Sequence, residues 1–298
     1  MKTSLILLAL AAISGVGGTH ADTLQKLSES KKIVFGVRES GAPLSFTLGA
    51  SRFTGYHVEL CERIAAGLQR EFKLPALEIA YQPVTSSNRI PLVQNGTVDL
   101  ECGTTTNNAA RLKEVSFTLT TFVTEVRMAV KAQSGISSVR QLEGKTVVVT
   151  TGSTAVKTLR TQGKTGRISF QELYGKDTGD SFLLLETGRA DAMVDDDNIL
   201  AGNISMAKNP GDYRIVGETL SVEPIAIMLR KDDAVFKKAV DSQVEALMRS
   251  GEVDRLYRKW FMSPIEPKGI ALNLPMSEAL RKAIAKPNDN PAEAYEAK

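Results

Sequence analysis

Three arginines, Arg38, Arg89 and Arg111, and one acid, Asp196, stand where short apolar runs give way to polar turns. Hydroxyls accompany them at Ser86, Thr104, Thr106, Ser153 and Thr154. A guanidinium presents a planar fork of donors that matches a carboxylate, and the free N–H groups of a helix start add to the same capture. A surplus of arginine over acid, with one acid kept, suits a zwitterion that carries an additional negative group. Each residue also has a plainer reading. Ser and Thr at strand-to-helix junctions serve as N-caps, and the arginines can pair with Glu39 or Glu101. Asp195-Asp196-Asp197 can cap a helix or, less readily, ligate a hard cation, although no Asp-x-Asp-x-Asp-Gly loop accompanies it.

Catalysis finds little support in the same inventory. His57, on a helix near Gly55, has no nucleophile beside it and reads as a solvated or core-edge ring. There is no Gly-x-Ser-x-Gly elbow and no His/Cys pair at zinc spacing, and Gly152-Ser153-Thr154 lacks the lysine of a phosphate loop. The chain therefore implies no metal and no cofactor.

The elements that must hold these residues are legible as alternating strands and helices. Ile33–Val37, Leu77–Tyr81 and Val98–Cys102 read as strands, with a helix carrying Val58, Cys61, Ile64, Ala65 and Leu68 and a shorter one ending at Gln94. Arg38, the turn at 85–89 and the segment 103–108 follow them. Ligands of open α/β sheets sit beyond the carboxyl ends of the strands, so these clusters are the candidate site. The pattern restarts near residue 130, with strands at Thr146–Thr150, Ile168–Leu173, Ala192–Val194 and Ile215–Val216 and a helix from Asp180 to Thr187. Two extended segments, Val123–Lys131 and Val222–Leu229, flank this second half. The expectation is an α/β protein of two lobes, each a mostly parallel sheet flanked by helices, joined by two hinge strands. We place one lobe at 22–128 and 226–298 and the other at 129–225. A helix over Ser277–Ala285 precedes Pro287, and the last dozen residues are expected to be mobile.

Composition agrees with a folded protein. Lys+Arg 37 against Asp+Glu 34 leaves a net charge of +3, too little to recruit nucleic acid, and 42% hydrophobic with 24% charged residues is ordinary for globular domains. Lys2, the apolar Leu5–Ile13 and the ending Thr19-His20-Ala21 form a secretory leader, with cleavage expected after Ala21 and a periplasmic address. In that compartment Cys61 and Cys102 can pair or remain two buried thiols; the sequence leaves both open.

Longer stretches carry a resemblance. IVFGVRES (33–40), TSSNRIPLVQNGTVD (85–99), ECGTTTNN (101–108), VVVTTGST (147–154) and MLRKDD (228–233) resemble the periplasmic glutamate/aspartate-binding proteins of polar amino acid ABC transporters, in solute-binding protein family 3. GDSF (179–182) and KWF (259–261) add weaker likeness. The resemblance implies a type II periplasmic binding fold, a monomer closing on L-glutamate or L-aspartate and docking on a membrane permease. It implies that Arg111 holds the α-carboxylate with Thr106 and Thr154, and that Asp196 accepts from the α-ammonium. Arg38, Arg89, Ser86 and Thr104 would surround the side-chain carboxylate. Thr104 stands where relatives carry serine. Thr178 stands where a glutamate/aspartate binder carries a histidine, a departure that leaves a neutral ligand such as glutamine open. Relatives pair the cysteine at 102 with one just before MLRKDD, where this chain has Ile227. Two other readings share the fold: a cyclohexadienyl dehydratase-like enzyme using Glu101 or Asp196, and a ligand-presenting module for a receptor.

Overall fold

A computed structural model describes residues 22–295. The leader expected over 1–21 lies outside them. Helix α1 (Thr23–Ser30) leads into β1 (Lys32–Val37), and a small antiparallel sheet follows, made of β2 (Ser40–Gly41), β3 (Ser45–Thr47) and β4 (Phe53–Thr54). Then come α2 (Tyr56–Glu71), β5 (Glu78–Pro83), α3 (Arg89–Gln94), β6 (Leu100–Glu101) and β7 (Val115–Phe117). The chain crosses along β8 (Phe122–Lys131) into β9 (Thr146–Thr150), α4 (Ala155–Gly166), β10 (Gln171–Gly175), α5 (Thr178–Glu186), β11 (Ala192–Asp196) and α6 (Asp197–Met206). It returns along β12 (Tyr213–Ile225) to β13 (Met228–Arg230), α7 (Ala234–Arg249), α8 (Glu252–Phe261), β14 (Pro264–Ile265), β15 (Ile270–Ala271) and α9 (Glu278–Ala285).

Two five-stranded sheets result, in the orders β5-β1-β6-β13-β7 and β10-β9-β11-β8-β12. In each, a single strand opposes the others: β13 in the first sheet and β8 in the second. These are the strands by which the chain returns to the first sheet and enters the second, so crossing between lobes reverses the chain direction. The extended segment expected at Val222–Leu229 is split between the sheets, β12 ending at Ile225 and β13 starting at Met228. Below its bulge, β12 pairs with the start of β8 from Ser221↔Val126 to Ile225↔Phe122, a two-stranded ribbon at the crossing.

The larger core lies between the first sheet and α2, α7 and α8. Leu60, Ile64 and Leu68 of α2, Val240 and Val244 of α7, and Val253, Leu256 and Trp260 of α8 are buried there at the three- and four-residue spacing of amphipathic helices. Helix α2 is seated at its start as well. Tyr56 and His57 donate their N–H groups to the carbonyls of Pro43 and Leu44, and a side chain at Gly55 (φ +132°) would strike the Leu44 carbonyl.

Some expectations shift. The strand read at Ile168–Leu173 runs Gln171–Gly175, because the Ile168 N–H closes α4 on the Gly163 carbonyl and Phe170 packs against Gly163. The tail is not loose over its described residues. Thr120 and Ala292 N–H groups bond the Asn288 and Asn107 carbonyls, the Asn107 side chain bonds the Asp289 carbonyl, and Asp289 meets Lys237 at 3.1 Å.

Candidate functional site

Arg38 follows β1 directly and is 1% exposed; its N–H donates to the Ser45 hydroxyl and its Nη1 to Thr104 Oγ1 at 2.9 Å. Arg89 opens α3. The turn before it caps itself, Thr85 N–H donating to Asn88 Oδ1 and Asn88 N–H to Thr85 Oγ1, which leaves Ser86 free to face the cleft. Arg111 starts a single tight helical turn whose N–H is held by Asn108 Oδ1, and its Nη1 donates to the Thr106 carbonyl. From the second lobe, β9 ends at Thr150, and a left-handed Gly152 after it turns the chain into Ser153, Thr154 and α4. Asp177 caps α5 through the Asp180 N–H and places Thr178 in its first turn. Asp195 and Asp196 end β11.

Ser86, Arg89, Thr104, Thr106, Ser153, Thr154, Thr178 and Asp196 line one narrow space between the lobes, together with Asp195. Arg38 and Arg111 stand directly behind it, bonded to Thr104 and to the Thr106 carbonyl. All ten residues singled out in the sequence are thus brought together.

The lobes meet around that space. Arg111 Nη2 reaches the Gly152 carbonyl at 3.3 Å, Thr178 Oγ1 donates to the Ser40 carbonyl at 2.6 Å, and Gly179 N–H donates to the Ser40 hydroxyl at 3.1 Å. A side chain on Gly152 would come within 2.8 Å of the Ser86 carbonyl group, and one on Gly202 within 2.1 Å of the Ala42 carbonyl oxygen. Glycine is required at both for this degree of approach.

Charge is the site's dominant feature. Arg38 Nη2 and Arg89 Nε and Nη1 are buried with no hydrogen-bond partner among the described residues. Burial, and then Arg111, weighs against the charge of Arg89. A guanidinium keeps its proton in proteins, so that pressure becomes a demand for an anion. The acids differ from expectation. Asp196 has company: Asp195 beside it, Glu101 behind the arginines and Glu223 on β12 are all buried. Burial raises the pKa of Asp195 and Asp196, and Glu223 and Asp195 raise Asp196 further. The simple surplus of arginine over acid does not survive. The structure instead separates the charges by contact: Glu101 accepts from Thr105 Oγ1 at 2.6 Å, and Asp195 from Thr150 Oγ1 at 3.1 Å. Glu223 accepts from Thr106 and Thr154, at 2.5 and 2.7 Å. Asp196 is left facing the cavity.

Two residues behave differently from their sequence readings, and the choice left open for the cysteines is resolved. Thr178 lines the cavity, yet its hydroxyl is committed to Ser40. His57 is fully buried rather than solvated or at a core edge, with Nδ1 2.6 Å from the Gly103 carbonyl and Nε2 2.9 Å from Thr121 Oγ1. Cys61 and Cys102 form a disulfide, tying α2 to the segment that carries Gly103 and Thr104. Sequence reasoning missed Asp195 and Glu223 as members of the site. A signal existed for Glu223, a lone charge between Val222 and Pro224-Ile225 in an otherwise apolar extended run. Among the described residues no cluster of ligands suits a metal ion, and no helix is long and apolar enough to cross a membrane.

This two-lobed architecture with a charged cleft has counterparts. The model for bacterial extracellular solute-binding proteins, family 3, matches residues 33–263. The chain belongs to that family. It is 41% identical over 295 residues to an L-glutamate/L-aspartate-binding protein of Pseudomonas aeruginosa, covering 98% of this chain and 97% of the relative. It is 37% identical over 294 residues to a glutamate/aspartate import solute-binding protein of Escherichia coli K12, covering 97% of each. Among solved structures, an ancestral arginine-binding protein bound to glutamine matches with a TM-score of 0.69 and 26% identity, over 78% of this chain and 98% of that one. The fold is therefore the type II periplasmic binding fold, and the two sequence relatives are named as binding proteins rather than enzymes.

Proposed function

We propose that this protein captures L-glutamate or L-aspartate between its lobes, as a periplasmic monomer freed of its leader after Ala21, and delivers it to the membrane permease of an ABC importer. The observation that carries the acidic ligand is the buried, unpartnered donor set of Arg89, which lines the interlobe cavity, and of Arg38 directly behind it. In this reading Arg38 and Arg89, with Ser86 and Thr104, take the side-chain carboxylate. Lysine would serve poorly there, since its ammonium lacks the planar fork. Arg111, with the backbone N–H at Thr154, takes the α-carboxylate, and Asp196 accepts from the α-ammonium. The ribbon of β8 and β12 serves as the hinge between a lobe of 22–128 with 226–298 and one of 129–225. Thr178 contributes by latching the closed lobes through Ser40 rather than by touching ligand. The names of the two full-length relatives support the same ligand class.

The test is a thermal-shift panel of the 20 amino acids on protein unfolded and refolded to remove carried-over ligand, with calorimetry on each hit. Ligand at 100 times its Kd adds about 2.7 kcal/mol, a rise of roughly 5–10 °C in a chain of this size. A rise confined to glutamate and aspartate, lost at least tenfold in affinity in Arg89→Ala, is expected. A rise with glutamine but neither acid would refute the acidic pocket.

A further inference from the structure

Glu223 lies outside the set of residues that line the cavity, yet it holds two that do. Its Oε2 accepts from the Thr106 hydroxyl of one lobe and the Thr154 hydroxyl of the other, while Oε1 accepts from Ser221 at 3.1 Å. Thr106 and Thr154 line both the interlobe cavity and the outer groove that contains Glu223, so the two threonines are the partition between the spaces. Their oxygens are 3.4 Å apart. Glu223 itself is 4% exposed and sits on the hinge ribbon opposite Thr124.

A hydroxyl has one proton and two lone pairs. A carboxylate that receives the proton of both threonines turns their lone pairs toward the remaining side, which is the cavity. We propose that Glu223 is a positioning and specificity-determining residue: it fixes Thr106 and Thr154 as acceptors and so makes the site select ligands that carry an α-ammonium. The proposal rests on the amino acid reading above. Beside Asp196, the two oxygens complete an acceptor set for the three donors of an ammonium group. Because one threonine comes from each lobe, the ammonium is satisfied only when the lobes are together.

The chemistry of the variant follows. In Glu223→Leu no acceptor remains behind the two threonines, so their hydroxyl protons are free to turn into the cavity. A donor there opposes an ammonium and does nothing against a ligand without one.

The experiment is calorimetry of wild type and Glu223→Leu with L-glutamate, and competition with glutarate, the same dicarboxylate without its amine. We expect the Kd of L-glutamate to rise at least tenfold while that of glutarate changes less than threefold, collapsing the preference for the amine. Thr154→Val, which removes one of the two acceptors, should move the preference in the same direction and keeps the test decisive if Glu223→Leu fails to fold. Equal weakening of both ligands would show that Glu223 only braces the hinge and would overturn the proposal. So would an L-glutamate Kd within threefold of wild type. A wild type that binds no L-amino acid would refute the transport reading as well, an outcome distinct from both.

Discussion

Lowering the pH from 7 to 4 should expose the protonation state of the buried His57. The ring is enclosed between the Gly103 carbonyl and the Thr121 hydroxyl, and burial pulls its pKa from 6.5 down to about 4 against the opposing Gly103 hydrogen bond. A group whose pKa falls on folding binds its proton more readily in the unfolded chain. Its contribution is therefore complete above pH 6.5 and is lost as the pH falls toward 4. About 2.5 units at about 1.36 kcal/mol each sums to roughly 3.4 kcal/mol, of which about 3 kcal/mol is gone by pH 4. A rival arrangement exists, since Thr121 Oγ1 is also 3.2 Å from the Ile225 carbonyl. With the hydroxyl proton turned there, both ring nitrogens would donate and the ring would be an imidazolium. Burying that charge with no anion against it costs several kcal/mol, more than one extra hydrogen bond of about 1 kcal/mol returns, so the neutral ring wins. Urea unfolding of wild type and His57→Asn at pH 7 and pH 4 decides the matter, because carboxylates that titrate in both proteins cancel. Wild type should lose about 3 kcal/mol more than the variant over that span. Equal losses would mean that the ring takes its proton as readily folded as unfolded, and a smaller loss in wild type that it is charged at pH 7; either would refute the desolvation argument.

The disulfide and the interlobe glycine give two further tests. Closing a loop across 41 residues stabilises by about 4 kcal/mol in the chain-entropy model, so Cys61→Ala with Cys102→Ala should lower the thermal midpoint by roughly 8–16 °C. A drop under roughly 3 °C would show that the bridge leaves the unfolded chain unconstrained. Gly152→Val should cost about 1–2 kcal/mol of stability from its left-handed conformation. It should also weaken ligand at least tenfold and abolish the contraction seen by X-ray scattering on ligand addition, since its side chain meets Ser86 across the cleft. Unchanged affinity would mean that the lobes need not come this close.

Much of the site was readable because its residues sit where local chemistry changes. Arg38 ends an apolar strand, Arg89 follows a Ser/Asn turn, and Gly152-Ser153-Thr154 joins a strand to a helix; each junction is visible in a few neighbouring residues. The small sheet of β2, β3 and β4 escaped because strands of two or three residues have no periodicity to detect. His57 and Glu223 escaped for a related reason. Their roles are set by partners far along the chain, Gly103 and Thr121 for one, Thr106 and Thr154 for the other, and a single polar residue in an apolar run does not say what will face it.

The same distinction separates the two kinds of residue in the cleft. Arg38, Arg89 and Asp196 carry formal charge into the cavity, and their types alone suggest a ligand. Thr106, Thr154 and Thr178 are neutral, and their types suggest only caps. What they do depends on where each proton is spent: on Glu223 for Thr106 and Thr154, on the Ser40 carbonyl for Thr178. Thr178 therefore cannot replace a histidine as a ligand donor without releasing its hold on the opposite lobe. In the proposed reading, affinity for an acidic side chain rests on Arg38 and Arg89, and the free energy of closure is shared between their pairing with the ligand carboxylate and the Thr178 hydroxyl latch.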